Sequence, residues 1–331
     1  MSTDHERRSR LLSLKLRALV RDHLGLTEEP AGIPHVFAPG AAFVTDDAAW
    51  FLIDGDSSRS LGPVLAWCEA NGIGTPVNIL TESNGGIVAR RAGHFDAEIA
   101  VWHVDDRSIR PVEPEPQLPA VDPSSEHLAF ASMIEAAGAD VVIEHGVVLG
   151  EVRGLEMCRV VDDATTGETR LEVGMGAHDR EAFAMVHGEV PTEEALRNVI
   201  RAVEPHRATG AQQHPFNQFG AERLLRWTVM QEPSMVGCTS LAPAEPPVVR
   251  TNLKDAVPCA AIGLDSDGMT VAVSFVIGMD LDAVPFALDA AERLGATRAV
   301  LALRAKDISR STRNLVSRAR TPLSLVELAS R

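Results

Sequence analysis

Apolar and polar positions along this chain switch repeatedly between a two-residue and a helical period, most clearly from residue 259 to 328. An apolar run reaches the polar turn Asp265-Ser266-Asp267-Gly268. A second run, Met269 to Ile277, is apolar on both faces except at Ser274, as expected of a strand buried inside a sheet. Behind Asp280 and Asp282, the residues Leu281, Val284, Leu288, Ala291 and Leu294 recur at helical spacing, and Gly295 supplies a C-terminal stop. Arg298 to Leu303 is short and apolar, Ser309 to Arg320 is polar and arginine-rich, and Leu323 to Leu328 is apolar again. The predicted order is β-β-α-β-α-β.

The same order is predicted between Pro34 and Glu113. An apolar run to Val44 and a strand from Ala49 to Ile53 precede a helix from Ser60 to Asn71, which Gly72 stops. Val77 to Leu80 reads as a strand, Gly85 to Phe95 as a helix and Glu98 to Val104 as a strand. One constant offset aligns Leu65 with Leu288, Gly72 with Gly295, Val77 with Val300 and Leu80 with Leu303, which reads as an internal repeat of architecture. That offset sets Phe51 where Ser274 stands and Ile53 where Val276 stands.

Ahead of this unit, Met1 to Leu26 carries leucines among Arg7, Arg8, Arg10, Lys15, Arg17 and Arg21, a partly amphipathic basic helix expected to dock on its own domain. The competing reading is a helix for an acidic partner, a membrane surface or nucleic acid. Proline-rich stretches at 113–125 and 232–250 read as linkers. Between them a helix, Glu126 to Ala137, is followed by strands Val141 to Val148, Leu155 to Val161 and Arg170 to Val173. Helices Asp179 to His187, Thr192 to Val203 and Asn217 to Met230 complete the region. The division is a basic helix (1–30), a first α/β unit (31–112), a central α+β domain (126–231) and a C-terminal α/β unit (251–331).

The stretch from Cys259 to Leu328 resembles the second half of the PD-(D/E)XK, or restriction-endonuclease-like, nuclease core, in which an Asp-bearing strand, a tight polar turn and an E-x-K strand precede helix, strand, helix and strand. That resemblance implies an Asp near Ala260, a Glu at Ser274 and a Lys at Val276, and all three are absent. A methyl, a hydroxyl and an isopropyl group do not hold Mg²⁺, which takes carboxylate oxygens. The unit therefore reads as a degenerate nuclease-like fold, with a Rossmann-like unit as the plainer reading of the same order. The full chain also resembles proteins of high-GC bacteria, a likeness that supplies no activity. The expected fold class is α/β, with two β-β-α-β-α-β units flanking the α+β domain.

Composition narrows the picture. The chain has 331 residues, 45% of them hydrophobic, enough for two or three cores. No apolar run approaches the ~18 residues of a membrane span. A net charge of −15 argues against a general phosphate-binding surface, although a local basic patch is compatible with it. Basic residues interrupt the apolar part of the N-terminal helix, so it does not read as a secretory signal. Cys68, Cys158, Cys238 and Cys259 are scattered among apolar neighbours and read as buried free thiols in a cytoplasmic protein.

The densest polar material is central. Val173-Gly174-Met175-Gly176-Ala177-His178-Asp179 runs from a strand through a glycine turn towards a helix. There His178 is a candidate general base or metal ligand with Asp179 beside it, against the plainer reading of a well-capped helix start. Glu144, Glu151, Glu156 and Glu172 fall on successive strands, and Glu151-Val152-Arg153 resembles an E-x-K with Arg in the Lys position. No Asp stands at a matching spacing, and charged residues on a half-exposed antiparallel sheet are ordinary. His206 and His214 near Gln212, Gln213 and Asn217, and the loop Thr81-Glu82-Ser83-Asn84-Gly85-Gly86, are the remaining polar loops of interest.

The expected function is binding, scaffolding or regulation by a degenerate nuclease-like fold within a nucleic-acid-processing system, with an unidentified protein or nucleic acid as partner. One alternative is an active nuclease that holds Mg²⁺ or Mn²⁺ on Glu151, Glu156 and Glu172. The other is a small-molecule sensor that binds near Asn84 or His178. No metal or cofactor is expected outside the nuclease reading, and exposed hairpin edges are compatible with a homodimer.

Overall fold

A computed structural model of the chain describes residues 2–176, 180, 182, 192–208, 219–250 and 257–329. It is an α/β structure with three sheets, of six, four and five strands. Its contacts group the chain into two compact units. The first holds Met1–Gln117, Met279–Asp289 and Ile308–Leu323, and the second holds Leu118–Gly278, Ala290–Asp307 and Ser324–Arg331.

The first unit opens with helix α1 (Ser2–His23), then strands β1 (Ile33–Phe37), β2 (Gly40–Val44) and β3 (Ala49–Ile53). Helix α2 (Leu61–Ala70), strand β4 (Val77–Thr81), helix α3 (Gly85–Ala92) and strands β5 (Ile99–Asp105) and β6 (Ser108–Pro111) follow. The strands lie in sequence order, β1 to β6, with β3, β4 and β5 parallel and the outer pairs antiparallel. The apolar run ending at Val44 is thus two strands, because the chain reverses at Ala38-Pro39, with Phe37 opposite Gly40. Leu16, Leu19 and Val20 of α1 pack on Ala41, Phe43, Trp50, Leu52 and Leu80, so the basic helix does dock on its own sheet. The opposite face carries an edge-to-face aromatic set, Phe37, Phe51 and Trp67.

In the second unit, helices α4 (Ser125–Leu128) and α5 (Ala131–Ala137) replace the one helix expected from Glu126 to Ala137. Strands β7 (Asp140–Glu144), β8 (Val147–Val152), β9 (Leu155–Asp162) and β10 (Thr169–Val173) form an antiparallel meander of order β10-β9-β8-β7. Val141 to Val148, expected as one strand, bends back at His145 and Gly146, both with positive φ, as a two-residue hairpin requires. Helices α6 (Thr192–Val203) and α7 (Ala221–Met230) follow. Strand β11 (Ser240–Ala244) then pairs with β12 (Cys259–Leu264) inside the stretch expected to be extended linker. It is an edge strand, where Pro243 is tolerated.

Strand β13 (Thr270–Phe275), helix α8 (Ala283–Arg293), strand β14 (Arg298–Arg304), helix α9 (Arg310–Ser317) and strand β15 (Leu323–Leu328) complete the chain. β12 and β13 are antiparallel, and β13 and β14 parallel. Ser309 caps α9 by accepting from the Thr312 amide. Pairing register corrects one sequence alignment. Phe51 pairs with Ile79, and Phe275 with Ala302, so Phe51 occupies the place of Phe275 rather than of Ser274. The first connection is one residue longer than the second.

Candidate functional site

Four strand carboxylates, Glu144, Glu151, Glu156 and Glu172, lie in the second unit, and arginines hold them in two groups. On helix α7, Arg223 and Arg226 stand three residues apart, hence on one face. The other face, Leu225 and Val229, packs into the apolar core of the sheet that contains β12 and β13. What brings the arginines to the carboxylates is a close backbone approach at Gly154, in the β8–β9 turn. A Cβ there would lie 2.3 Å from the Arg223 carbonyl carbon, and φ is +79°, so only glycine fits. Arg207, fully buried, ties this turn to the start of α7: Nη2 donates to the Arg153 carbonyl at 2.6 Å and Nη1 to the Phe219 carbonyl at 2.9 Å. Burial pushes its pKa down to about 10, still charged at neutral pH.

The result is a closed ring of four ions. Arg226 donates to Glu144 at 3.2 Å and to Glu151 at 3.0 Å, and Arg223 donates to the same two carboxylates. All four side chains are buried. Burial alone would raise the Glu151 pKa, but Arg223 and Arg226 overcome it and bring it down to about 2. In return the two glutamates raise both guanidinium pKa values against burial, which would lower them. Asp140, opposite Glu151 in the β7–β8 register, takes the Trp227 indole N–H at 3.0 Å, and its pKa is raised by burial and by the Glu151 charge.

Glu156 stands opposite Glu151 on β9 and belongs to a second group. Arg159 holds it at 3.1 and 3.2 Å, Arg180 at 3.3 Å and Arg250 at 3.0 Å. Arg180 also reaches Glu172 at 3.2 Å, and Arg170 holds Glu172 at 2.8 Å. Burial would raise the pKa of Glu172, yet the hydrogen bonds from Arg170 and Arg180 lower it on balance. Arg250 is pushed down by burial and then by Arg223.

These carboxylates are not ordinary charges on a half-exposed sheet, and guanidinium groups occupy the oxygens that the nuclease reading assigns to a metal. Glu144, Glu151 and Glu156 are buried, and each of Glu144, Glu151, Glu156 and Glu172 is held by two or more guanidinium groups. A hard cation needs those same oxygens and would enter a field already supplied with positive charge. Sequence reading placed the glutamates on strands but missed Arg223 and Arg226. The available signal was their three-residue spacing on a helix opposite a pair of strand glutamates.

The remaining candidates are dispersed. His178, Asp179, Gln212, Gln213, His214 and Asn217 lie outside the described residues, and His206 sits on a single 3₁₀ turn, Glu204–Arg207. Ala260 and Ser274, where the resemblance would imply metal ligands, pair across the β12–β13 ladder, both buried, and the Ala260 carbonyl accepts from Arg226 at 3.2 Å. In the 81–86 loop, Asn84 donates to Asp56 at 2.7 Å and the Ser83 hydroxyl to the Gly55 carbonyl at 3.3 Å, so these polar groups of the loop are taken up by the neighbouring 55–56 segment. All four cysteines are free thiols in buried positions, and burial pushes Cys68, Cys158 and Cys259 up to about 12, far from thiolate chemistry.

Compared with known proteins, the chain matches no family model, no curated protein and no solved structure.

Proposed function

We propose that this protein binds or scaffolds a partner rather than cutting a substrate, and that its C-terminal strands are a nuclease-like core without the metal residues. The observation that carries the first part is the arginine–carboxylate cluster. Every strand glutamate offered as a metal ligand is engaged by guanidinium groups instead. Support for the second part is the order β12-β13-α8-β14-α9-β15, with an antiparallel hairpin and a parallel crossover, and buried Ala260 and Ser274 at its equivalent metal positions. A role within a nucleic-acid-processing system belongs to the same proposal.

The test is a cleavage assay on single- and double-stranded DNA with Mn²⁺, using the intact protein and a Glu172→Gln variant. Glu172 is the most exposed of the candidate carboxylates, so this variant keeps the fold. No cleavage by either protein is the expected result. Cleavage by the intact protein that the variant loses would overturn the proposal and make the central carboxylates catalytic.

A further inference from the structure

We infer that the outward face of helix α9 binds the phosphate backbone of a nucleic-acid duplex without reading its sequence. The inference rests on the binding reading above and names the surface and the partner's chemistry. Between Arg304 and Arg320 the chain carries six Lys and Arg residues against one acid, Asp307, although its net charge is −15. Within α9, Arg310, Arg313 and Ser317 recur at spacings of three and four and are exposed, whereas Thr312 and Leu315 on the opposite side are buried. Arg318 and the exposed Arg320 continue the run past the helix end. Uncommitted charge separates this helix from the chain's other basic one. In α1, Arg8, Lys15, Arg17 and Arg21 already hold Asp54, Glu82, Glu29 and Asp22. Arg310, Arg318 and Arg320 hold no carboxylate among the described residues, and Arg320 donates only to the Gly93 carbonyl, at 3.4 Å. Two acids stand close by. Glu69 accepts from Asn314 with one oxygen, and its other, buried, meets no donor among the described residues. Asp96 meets the run through its amide, which donates to the Arg318 carbonyl at 3.1 Å.

Spacing and the make-up of the face select the occupant. The arginines are spread along the ~12 Å of an eight-residue helix and beyond it, too far apart for one small anion. They suit a polyanion whose charges recur every ~3.4 Å along each strand, and a guanidinium fork pairs with phosphate oxygens. A protein partner or a membrane surface calls for an apolar anchor, and none of the exposed large apolar side chains lies beyond Met279. A second copy meets like charge: the ionisable side chains of α9 are all arginines, so two such faces set cation against cation in any register. No aromatic residue follows Phe286, which leaves no platform for stacking unpaired bases and favours a duplex over a single strand. With phosphates as the only contacts, binding is independent of sequence.

The experiment measures fluorescence anisotropy of a short labelled DNA duplex against the full chain, from low salt to ~200 mM. Binding at low salt that falls with a log–log slope of about −3 is expected. Arg310→Gln and Arg320→Gln should each flatten that slope by about 1 and weaken binding about fivefold, and the double Glu variant should abolish it. Arg10→Gln, on the exposed side of α1, leaves binding unchanged. All three positions are exposed, and unchanged thermal melts confirm that each variant folds. An oligoglutamate peptide, an oligothymidylate and phosphatidylserine vesicles are expected to bind more weakly than the duplex. Oligoglutamate or vesicles bound as tightly, and weakened as much by Arg310→Gln, would overturn the inference, since the helix would then take any acidic surface. Tighter binding of the oligothymidylate, duplex binding insensitive to both α9 variants, or its loss in Arg10→Gln would each overturn it too. Absent duplex binding together with absent cleavage overturns this surface alone, whereas cleavage lost in Glu172→Gln overturns the binding reading itself.

Discussion

Each compact unit contains a buried network of arginines and carboxylates, and the two networks differ in how well the acids are served. In the second unit Glu151 lies between two guanidinium groups, Arg223 and Arg226. In the first, Asp282, just ahead of helix α8, and Asp289, on that helix, stand seven residues apart and share Arg91. Asp289 also takes Arg90 at 2.8 Å and the Gln117 amide at 2.6 Å. Asp282 has Arg91 at 2.7 Å and the Gly62 amide at 3.0 Å. Burial wins at Asp282 and raises its pKa to about 6, against the pull of Arg91, while Glu151 is held down to about 2. A buried carboxylate with two guanidinium neighbours stays firmly ionised, and one that shares a single arginine sits near the edge of protonation.

The largest effects break the two networks directly. Arg226→Met leaves two buried glutamates with one arginine, and a loss of about 3–5 kcal/mol in urea unfolding at pH 7 is expected. Arg91→Met should cost a similar amount at pH 8 but clearly less at pH 5, because Asp282 can take a proton there. Equal losses at both pH values would show that the two networks do not differ in the way described.

Next in size is the pH dependence, and the signs are opposite. The Asp282 pKa is raised in the folded state, so its contribution is complete below pH ~4 and declines by about 3 kcal/mol as pH rises through 6. Glu151 is depressed, so its contribution is complete above pH ~5 and falls by about 3 kcal/mol towards pH 2. Unfolding midpoints of the wild type measured relative to Asp282→Asn should therefore fall between pH 4 and 7, and relative to Glu151→Gln between pH 5 and 2. A flat difference for either variant would remove that residue from the comparison. The smallest effect is a control on exposure. Lys15 and Glu82 pair on the surface, both more than 40% exposed, and Lys15→Ala should cost less than about 1 kcal/mol, less still at high salt.

The C-terminal β-β-α-β-α-β order was legible, and the first was legible but for the β1–β2 hairpin and β6, because their apolar runs are short, and Gly72 and Gly295, both with positive φ, close the two helices at the places their pattern marked. Other strands were hidden by continuity. Val141 to Val148 is apolar on both sides of His145-Gly146, so the hairpin inside it leaves only a weak turn signal. Prolines concealed β11, since composition does not distinguish a proline in a linker from one on a sheet edge.

The site was legible by halves. Glu144, Glu151, Glu156 and Glu172 were recognisable as strand carboxylates, but their state depends on arginines far along the chain, such as Arg223 and Arg226. By itself the sequence determined the strand–helix alternation from β12 to β15 and from β3 to β5, the helix stops, the buried thiols and the positive charge of α1, because each follows from local pattern and composition. Only tertiary structure decided whether a strand glutamate faces a metal, water or a guanidinium group. Ionic interactions act over a few ångströms, and here those distances are fixed by contacts between remote segments, such as Gly154 against the backbone of Arg223.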